Sequence, residues 1–382
     1  MMASSEVTER PAVGTPGRPR TRSPTSSSRP RVIFAILATL LGWIVLSVGL
    51  GIGLPLAGDS VVGTTLAAVA LVVGVTLVAI AGTLLFRAVR GWARLIMVPW
   101  SLAILVGLYC LSIALAAVYP PHTSSEAPLP ADATRVEMIS ADGERLAGWY
   151  LPSRNGAAVV LRHGAGSTTA DVIQHARVLN DAGYGVLATD ARGHGESGGL
   201  GMDLGWYGEL DTQAAVDALE GRGDVDASRI GVVGLSMGGE EAIGAAGVDR
   251  RIRAVVAEGA TGRTAADKAW LADEYGVLGL VQGVLDAGTY GLVDLLTPAA
   301  PPPTLEEAVH DSSPTAMLLV TAGNRPDEQS VAVRLASLDP ARVQVWVVSG
   351  AGHVAALRTD PAGWREHVIG FLDAALAVQP QQ

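Results

Sequence analysis

Cysteine is almost missing from this chain: its 382 residues contain one, Cys110. That excludes an intramolecular disulfide framework and any cysteine-built zinc site. Charge is also scarce, at 17% of residues against the roughly 25% usual for soluble domains. Aromatics stand at 5% while hydrophobic residues reach 49%, so neither wholesale disorder nor an ordinary all-soluble protein fits. A basic face is lacking too. Residues 1–31 carry six Arg against Glu6 and Glu9, a balance of +4, and residues 32–119 carry +2. This leaves −16 for residues 120–382 within a total of −10. An acidic globular part does not suit a nucleic-acid partner, because phosphate binding needs clustered Lys and Arg.

What is present in quantity is apolar sequence. After a Pro-, Ser-, Thr- and Arg-rich stretch over 1–31, which is expected to be a disordered tail, come three long uncharged runs at 32–57, 60–86 and 95–119. Each exceeds the ~20 residues needed to cross a hydrocarbon core, so three transmembrane helices are expected, with membrane lipids as their partners. The first is too long and too far from the N-terminus for a cleaved signal peptide. Arg87, Arg90 and Arg94 lie between the second and third runs, and Asp59 alone lies between the first two. The positive-inside bias then puts the N-terminus in the cytoplasm of a multi-pass membrane protein and the remainder of the chain outside it. No ionisable residue falls inside the runs, which argues for an anchor and against a transport pathway. A stiff polar linker over 120–131 separates these runs from a domain beginning near Asp132.

From there short β-rich runs alternate with amphipathic segments. Strands are expected at 136–140, 145–151, 157–162, 185–190, 229–235, 252–257, 316–321 and 343–349, with helices at 170–181, 210–221, 237–247 and 361–378. The ordering implies an α/β fold with a mostly parallel eight-stranded sheet. Between about 260 and 313 an apolar, helical insertion interrupts the pattern, as a cap over a site, an apolar face packed on the domain, or a contact with the membrane.

Glycine is so common, at 46 residues, that a lone G-x-S-x-G pattern carries little weight, and two occur, around Ser197 and around Ser236. A nucleophile elbow needs a buried strand directly before the serine and a helix directly after it. Only Ser236, between RIGVVGL and MGGEEAIGAAG, has both. Ser197 lies in DARGHGESGG, where Gly193, Gly195 and Gly198 form a G-x-G-x-x-G. No helix opens inside that motif, so it reads as a strand-end loop, not a dinucleotide site. His353, in SGAGH after the last strand, is the best base among seven histidines. The acid should follow the preceding strand, where Asp327 is favoured over Glu328, with Glu258 a lesser alternative. Oxyanion donors are expected from the backbone of Met237, directly after the nucleophile, and of Ala165 in RHGAG, where His163 is expected to be a structural hydrogen-bonding residue.

Taken in order, HGAG, DARGHGESGG, GLSMGG, GNRPDE and GAGH resemble the α/β-hydrolase superfamily, especially its serine aminopeptidase-like and acyltransferase/thioesterase-like members. The likeness covers about residues 135–378. It implies a Ser236–Asp327–His353 triad, an oxyanion hole from Ala165 and Met237, and a cap at the insertion. In the family the acid usually stands three residues after the strand-end glycine, and Pro326 holds that position here. The expected activity is a membrane-anchored serine hydrolase acting on a carboxylic ester, with a small-molecule or lipid-like acyl substrate and with no metal or organic cofactor. An amide or peptide hydrolase using the same residues, and a non-catalytic membrane scaffold that retained the fold, are the alternatives.

Overall fold

The computed structural model describes residues 29–49, 61–89, 91–121 and 128–377. The expected tail up to residue 28, the stretch 50–60 with Asp59, Arg90, and the linker residues 122–127 lie outside the described residues.

Among the described residues three helices come first: α1 (Arg29–Val48), α2 (Val61–Ala88) and α3 (Ala93–Val118). Two of them hold stretches long and apolar enough to cross a membrane, Ala68–Arg87 and Arg94–Val118; the apolar part of α1, Ile33–Val48, is shorter. The expected first span of 32–57 counted hydropathy through Gly51, Gly53 and Pro55, residue types with poor helix propensity, and is described only as far as 49. Of the three expected spans, two reach spanning length among the described residues. Glycine sets the approach of α1 and α2, since a Cβ on Gly74 would stand 2.7 Å from the backbone N of Leu46 and one on Gly42 2.9 Å from that of Val78. Small residues at the interface let the two helix backbones approach this closely.

Eight strands follow in one sheet: β1 (Thr134–Ile139), β2 (Arg145–Leu151), β3 (Ala158–Arg162), β4 (Gly185–Thr189), β5 (Ile230–Leu235), β6 (Ile252–Glu258), β7 (Ala316–Ala322) and β8 (Val343–Val348). Their spatial order is β1-β2-β4-β3-β5-β6-β7-β8. β1 and β2 pair antiparallel at one edge, β2 runs antiparallel to β4, and the other six strands are parallel. Each expected strand is present within two residues at either end. The central strands read as unbroken apolar runs, and β3, β4 and β5 are buried along their whole length, as strands covered on both faces must be.

Helices α4 (Ile173–Asp181), α5 (Gly208–Glu220) and α6 (Met237–Val248) lie among the first crossovers. Between β6 and β7 stand α7 (Leu271–Tyr275), α8 (Val277–Leu296) and α9 (Leu305–Asp311), while α10 (Pro326–Leu338) joins β7 to β8. After β8 come α11 (Ala356–Thr359), α12 (Pro361–Trp364), a π-helical stretch Arg365–Ile369 and α13 (Gly370–Ala375). Two apolar layers result, one on each face of the sheet. One joins Val160, Val232 and Val255 to Ala215, Leu219 and Ile243; the other joins Val159, Val233 and Val256 to Leu179, Trp364 and Leu372. Alternation along each strand sends neighbouring residues to opposite layers.

Candidate active site

In a parallel sheet the carboxyl ends of the strands, where loops turn into helices, are where sites assemble. Ser236 stands there, between β5 and α6, with φ 54° and ψ −122°. A non-glycine residue in that region is strained by about 1–3 kcal/mol and persists only where its surroundings fix it. The glycines around it explain why this turn can exist. A Cβ on Gly234 would meet the backbone O of Gly238 at 2.0 Å, and one on Gly238 would meet His163 O at 2.6 Å. The turn therefore closes only with glycine two residues before and two residues after the serine.

His353 follows β8, and its Nε2 lies 2.9 Å from Ser236 Oγ. A Cβ on Gly259 would come within 2.9 Å of His353 Cε1, so glycine at the end of β6 leaves room for the ring. The other ring nitrogen, Nδ1, is 2.7 Å from Glu328 Oε1. Glu328 is wholly buried, and its second oxygen accepts the backbone N–H of Ala322 at 2.9 Å. The two bonds fix the carboxylate and, through it, the imidazole.

The preferred acid of the sequence reading, Asp327, is placed elsewhere. It takes a two-pronged bond from Arg325, at 3.0 and 2.7 Å, and this guanidinium holds its carboxyl below the usual range. The reason is helical phase. α10 starts at Pro326, so 327 and 328 both lie in its first turn, about 100° apart. Val331, Ala332 and Leu335 are the buried face of that helix, and Glu328 precedes them by three, four and seven residues. That periodicity is in the sequence and singles out Glu328, whereas order along the loop favours Asp327. Glu258, the lesser alternative, is buried and accepts Ala356 N–H at 2.9 Å and Trp364 Nε1–H at 3.4 Å, so it ties down the chain just after His353.

Gly164 puts the expected oxyanion loop against the nucleophile, since a Cβ there would stand 3.0 Å from Ser236 Cβ. Ala165 follows in that loop, and Met237 opens α6, where the first backbone N–H groups have no acceptor within the helix. Two histidines hold the loop from behind. Ala191 N–H donates to His163 Nε2 at 2.9 Å, leaving Nδ1 as the protonated atom that donates to Gly164 O at 2.7 Å. Burial pushes His163 down to about 3, so this tautomer is neutral. His194 Nε2 in turn accepts Gly166 N–H at 3.2 Å.

Ser197 is buried, donating to Asp190 O at 2.6 Å and accepting Ala147 N–H at 2.9 Å. Its motif is a strand-end loop with no helix opening inside it, as expected. A cavity of about 470 Å³ between Trp206–Leu210 and Pro298–Pro302 touches none of Ser236, Glu328 or His353.

The domain that carries this site has a counterpart among solved structures. The domain has the α/β-hydrolase fold. The Pyrococcus furiosus esterase Pf2001 superposes on 68% of this chain and 98% of its own, with a TM-score of 0.54 and 26% identity. A family model described as serine aminopeptidase, S33, matches residues 153–281 of the α/β-hydrolase domain, a span that contains Ser236 and stops before Glu328 and His353. The uncharacterized protein YfhR of Escherichia coli (strain K12) is 31% identical over 152 residues, 38% of this chain and 53% of that protein. The thiohydrolase aneE of Aspergillus aculeatus is 35% identical over 132 residues, covering 32% and 40%. The chain spans about half the length of the curated relatives it matches.

Proposed function

We propose that this chain is a membrane-attached serine hydrolase that cleaves a carboxylic ester through an acyl-enzyme. The observation that carries the reading is the continuous chain Ser236 Oγ, His353 Nε2, His353 Nδ1 and Glu328 Oε1, with bonds of 2.9 and 2.7 Å. In this mechanism Ser236 attacks the acyl carbonyl while His353 takes its proton at Nε2. Glu328 keeps Nδ1 protonated and stabilises the imidazolium as it forms. The alkoxide leaves with the proton from Nε2, and water then repeats the sequence to release the acid. Ala165 and Met237 N–H groups serve the developing oxyanion. The named activities of the Pyrococcus esterase and the Aspergillus thiohydrolase support acyl transfer to water. Membrane attachment rests on Ala68–Arg87 and Arg94–Val118.

The test is turnover of p-nitrophenyl acetate, butyrate and octanoate by the full chain in detergent, beside its Ser236→Ala and Ser197→Ala variants and an aminoacyl-amide substrate. Ester turnover that disappears in Ser236→Ala and persists in Ser197→Ala is the expected result. Faster turnover of the amide would move the reading to a peptidase, and no turnover by a folded chain would overturn it.

A further inference from the structure

Helix α8 is amphipathic in an unusual sense, because the face it turns away from the domain is the apolar one. Val277, Leu278, Leu280, Val281, Val284 and Leu295 are each between 54% and 81% exposed. Val277, Val281, Val284 and Leu295 share one face at helical spacing. No Lys or Arg occurs in α8. Of its two acids, Asp286 is turned inward, taking a bond from Gln282 Nε2 at 3.0 Å with Lys268 Nζ at 3.7 Å. The other, Asp294, is exposed in the last turn of the helix.

What stands beside this face is α3, one of the two helices suited to a bilayer. The Cys110 thiol donates to Leu285 O at 3.4 Å, and a Cβ on Gly288 would stand 3.0 Å from Cys110 Sγ. Ala114 and Val118 share a buried cluster with Tyr290 and Val293, so the contact extends toward the C-terminal ends of both helices. Tyr119 ends α3, an amphipathic ring of the type found at headgroup level. Cys110 is nine residues before it, or about 13 Å down the helix axis. Helix α8 thus meets α3 at a depth that belongs to the acyl chains. Leu200, 68% exposed, adjoins Gly201, whose Cβ would touch the backbone of Ala117 and Val118, and so extends the apolar surface to the top of α3.

We propose that the outer face of α8 is embedded in the lipid bilayer alongside α3, as a second contact between the α/β-hydrolase domain and the membrane. This rests on the membrane attachment proposed above and adds a surface by which the domain itself holds to the bilayer. The N-terminal end of α8 stands beside the acid's helix: Ser330 of α10 bonds Glu274 at 3.0 Å, and Trp270 packs with the core that contains Val331.

Cys110 is buried and is the chain's sole thiol, so the wild type is an unlabelled blank for site-directed fluorescence. The full chain carrying Val281→Cys or Val284→Cys is labelled with an environment-sensitive dye and reconstituted into phosphatidylcholine vesicles brominated on the acyl chains. Leu102→Cys on α3 and Val333→Cys on the exposed side of α10 are the two references. Quenching at 281 and 284 comparable to that at 102, several-fold above 333, is the expected result, with little quenching by aqueous iodide. Quenching at 102 while 281 and 284 behave like 333 overturns the embedded face and leaves the membrane reading standing. A Val281→Cys disulfide between two copies also overturns it, in favour of a protein partner. If 102 itself behaves like 333, the membrane reading fails and this inference with it.

Discussion

Two adjacent carboxylates, Asp327 and Glu328, divide cleanly by partner, and exchange experiments can read the division. Glu328→Gln keeps the size and an acceptor for Ala322 N–H but removes the charge and allows the wrong imidazole tautomer. A loss of about 10³ to 10⁴ in kcat on an activated ester is expected, as for other triads that lose the orienting acid. Asp327→Asn breaks an ion pair with Arg325 in which both side chains are about two-fifths exposed, so kcat should stay within about threefold, since such pairs contribute ~1 kcal/mol or less. Equal losses in the two variants would sink the assignment of Glu328. A second residue sets a pH limit. His175 is buried against Trp364 with no hydrogen-bond partner on either ring nitrogen, and burial lowers its pKa to about 4. Its neutral form is the one the fold accepts. The stability it contributes is therefore complete above the unfolded value of about 6.5 and is lost as pH falls through 4, up to ~3 kcal/mol in all. His175→Phe should flatten the fall of the melting temperature of the full chain between pH 6.5 and 4; an unchanged slope would show that the group does not titrate there.

Among the elements, α8 and its entry depend on glycine in two opposite ways. Gly279 packs against the preceding turn so closely that a Cβ would lie 1.8 Å from Leu271 O, whereas nothing lies within 4 Å of a Cβ on Gly283 in the same helix. Gly279→Ala should lower the melting temperature by the equivalent of about 1–3 kcal/mol, the range for forced overpacking. Gly283→Ala should raise stability by about 0.5–1 kcal/mol through helix propensity. Parallel melts of both variants decide this, and equal effects would mean that α7 and α8 do not pack as described. The same scale explains what the sequence discloses and what it hides. Strands β3 to β8 were legible because a buried strand must be an unbroken apolar run between turn residues. Ser236 was legible because its turn requires glycine at 234 and 238. Glu328 was obscured because order along a loop was weighed above phase on the helix that Pro326 opens. The direction of α8 was not legible at all: its apolar residues suit a face packed on the domain as well as one turned outward, and only the positions of Cys110, Tyr290 and Val293 decide between them.

At the scale of the whole molecule, the proposed membrane attachment makes the side on which the domain lies a matter of the parity of the crossings. The arginines at 87, 90 and 94 flank the junction of α2 and α3, and the six in residues 1–31 precede α1, so positive charge gathers at alternate ends of the three helices. Cytoplasmic retention of both groups requires that α1 and α2 cross as a hairpin. The close approach at Gly42 and Gly74 pairs α1, the shorter apolar helix, with α2, as such a hairpin would require. With a third crossing by α3 the α/β-hydrolase domain would lie on the outer side, the outcome the positive-inside bias favours. Alkaline phosphatase fused after Gln382 should be active and a fluorescent protein fused there dark; the reverse pattern would place the domain inside the cell. Replacing Gly74 by Leu tests the hairpin directly. With a backbone contact of 2.7 Å to overcome, the pair must separate, and α1 should lose its place in the membrane. The signature would be a mixed population in the same two reporters, because α2 and α3 crossing without α1 invert the count and leave the C-terminal domain facing the cytoplasm in a fraction of the molecules.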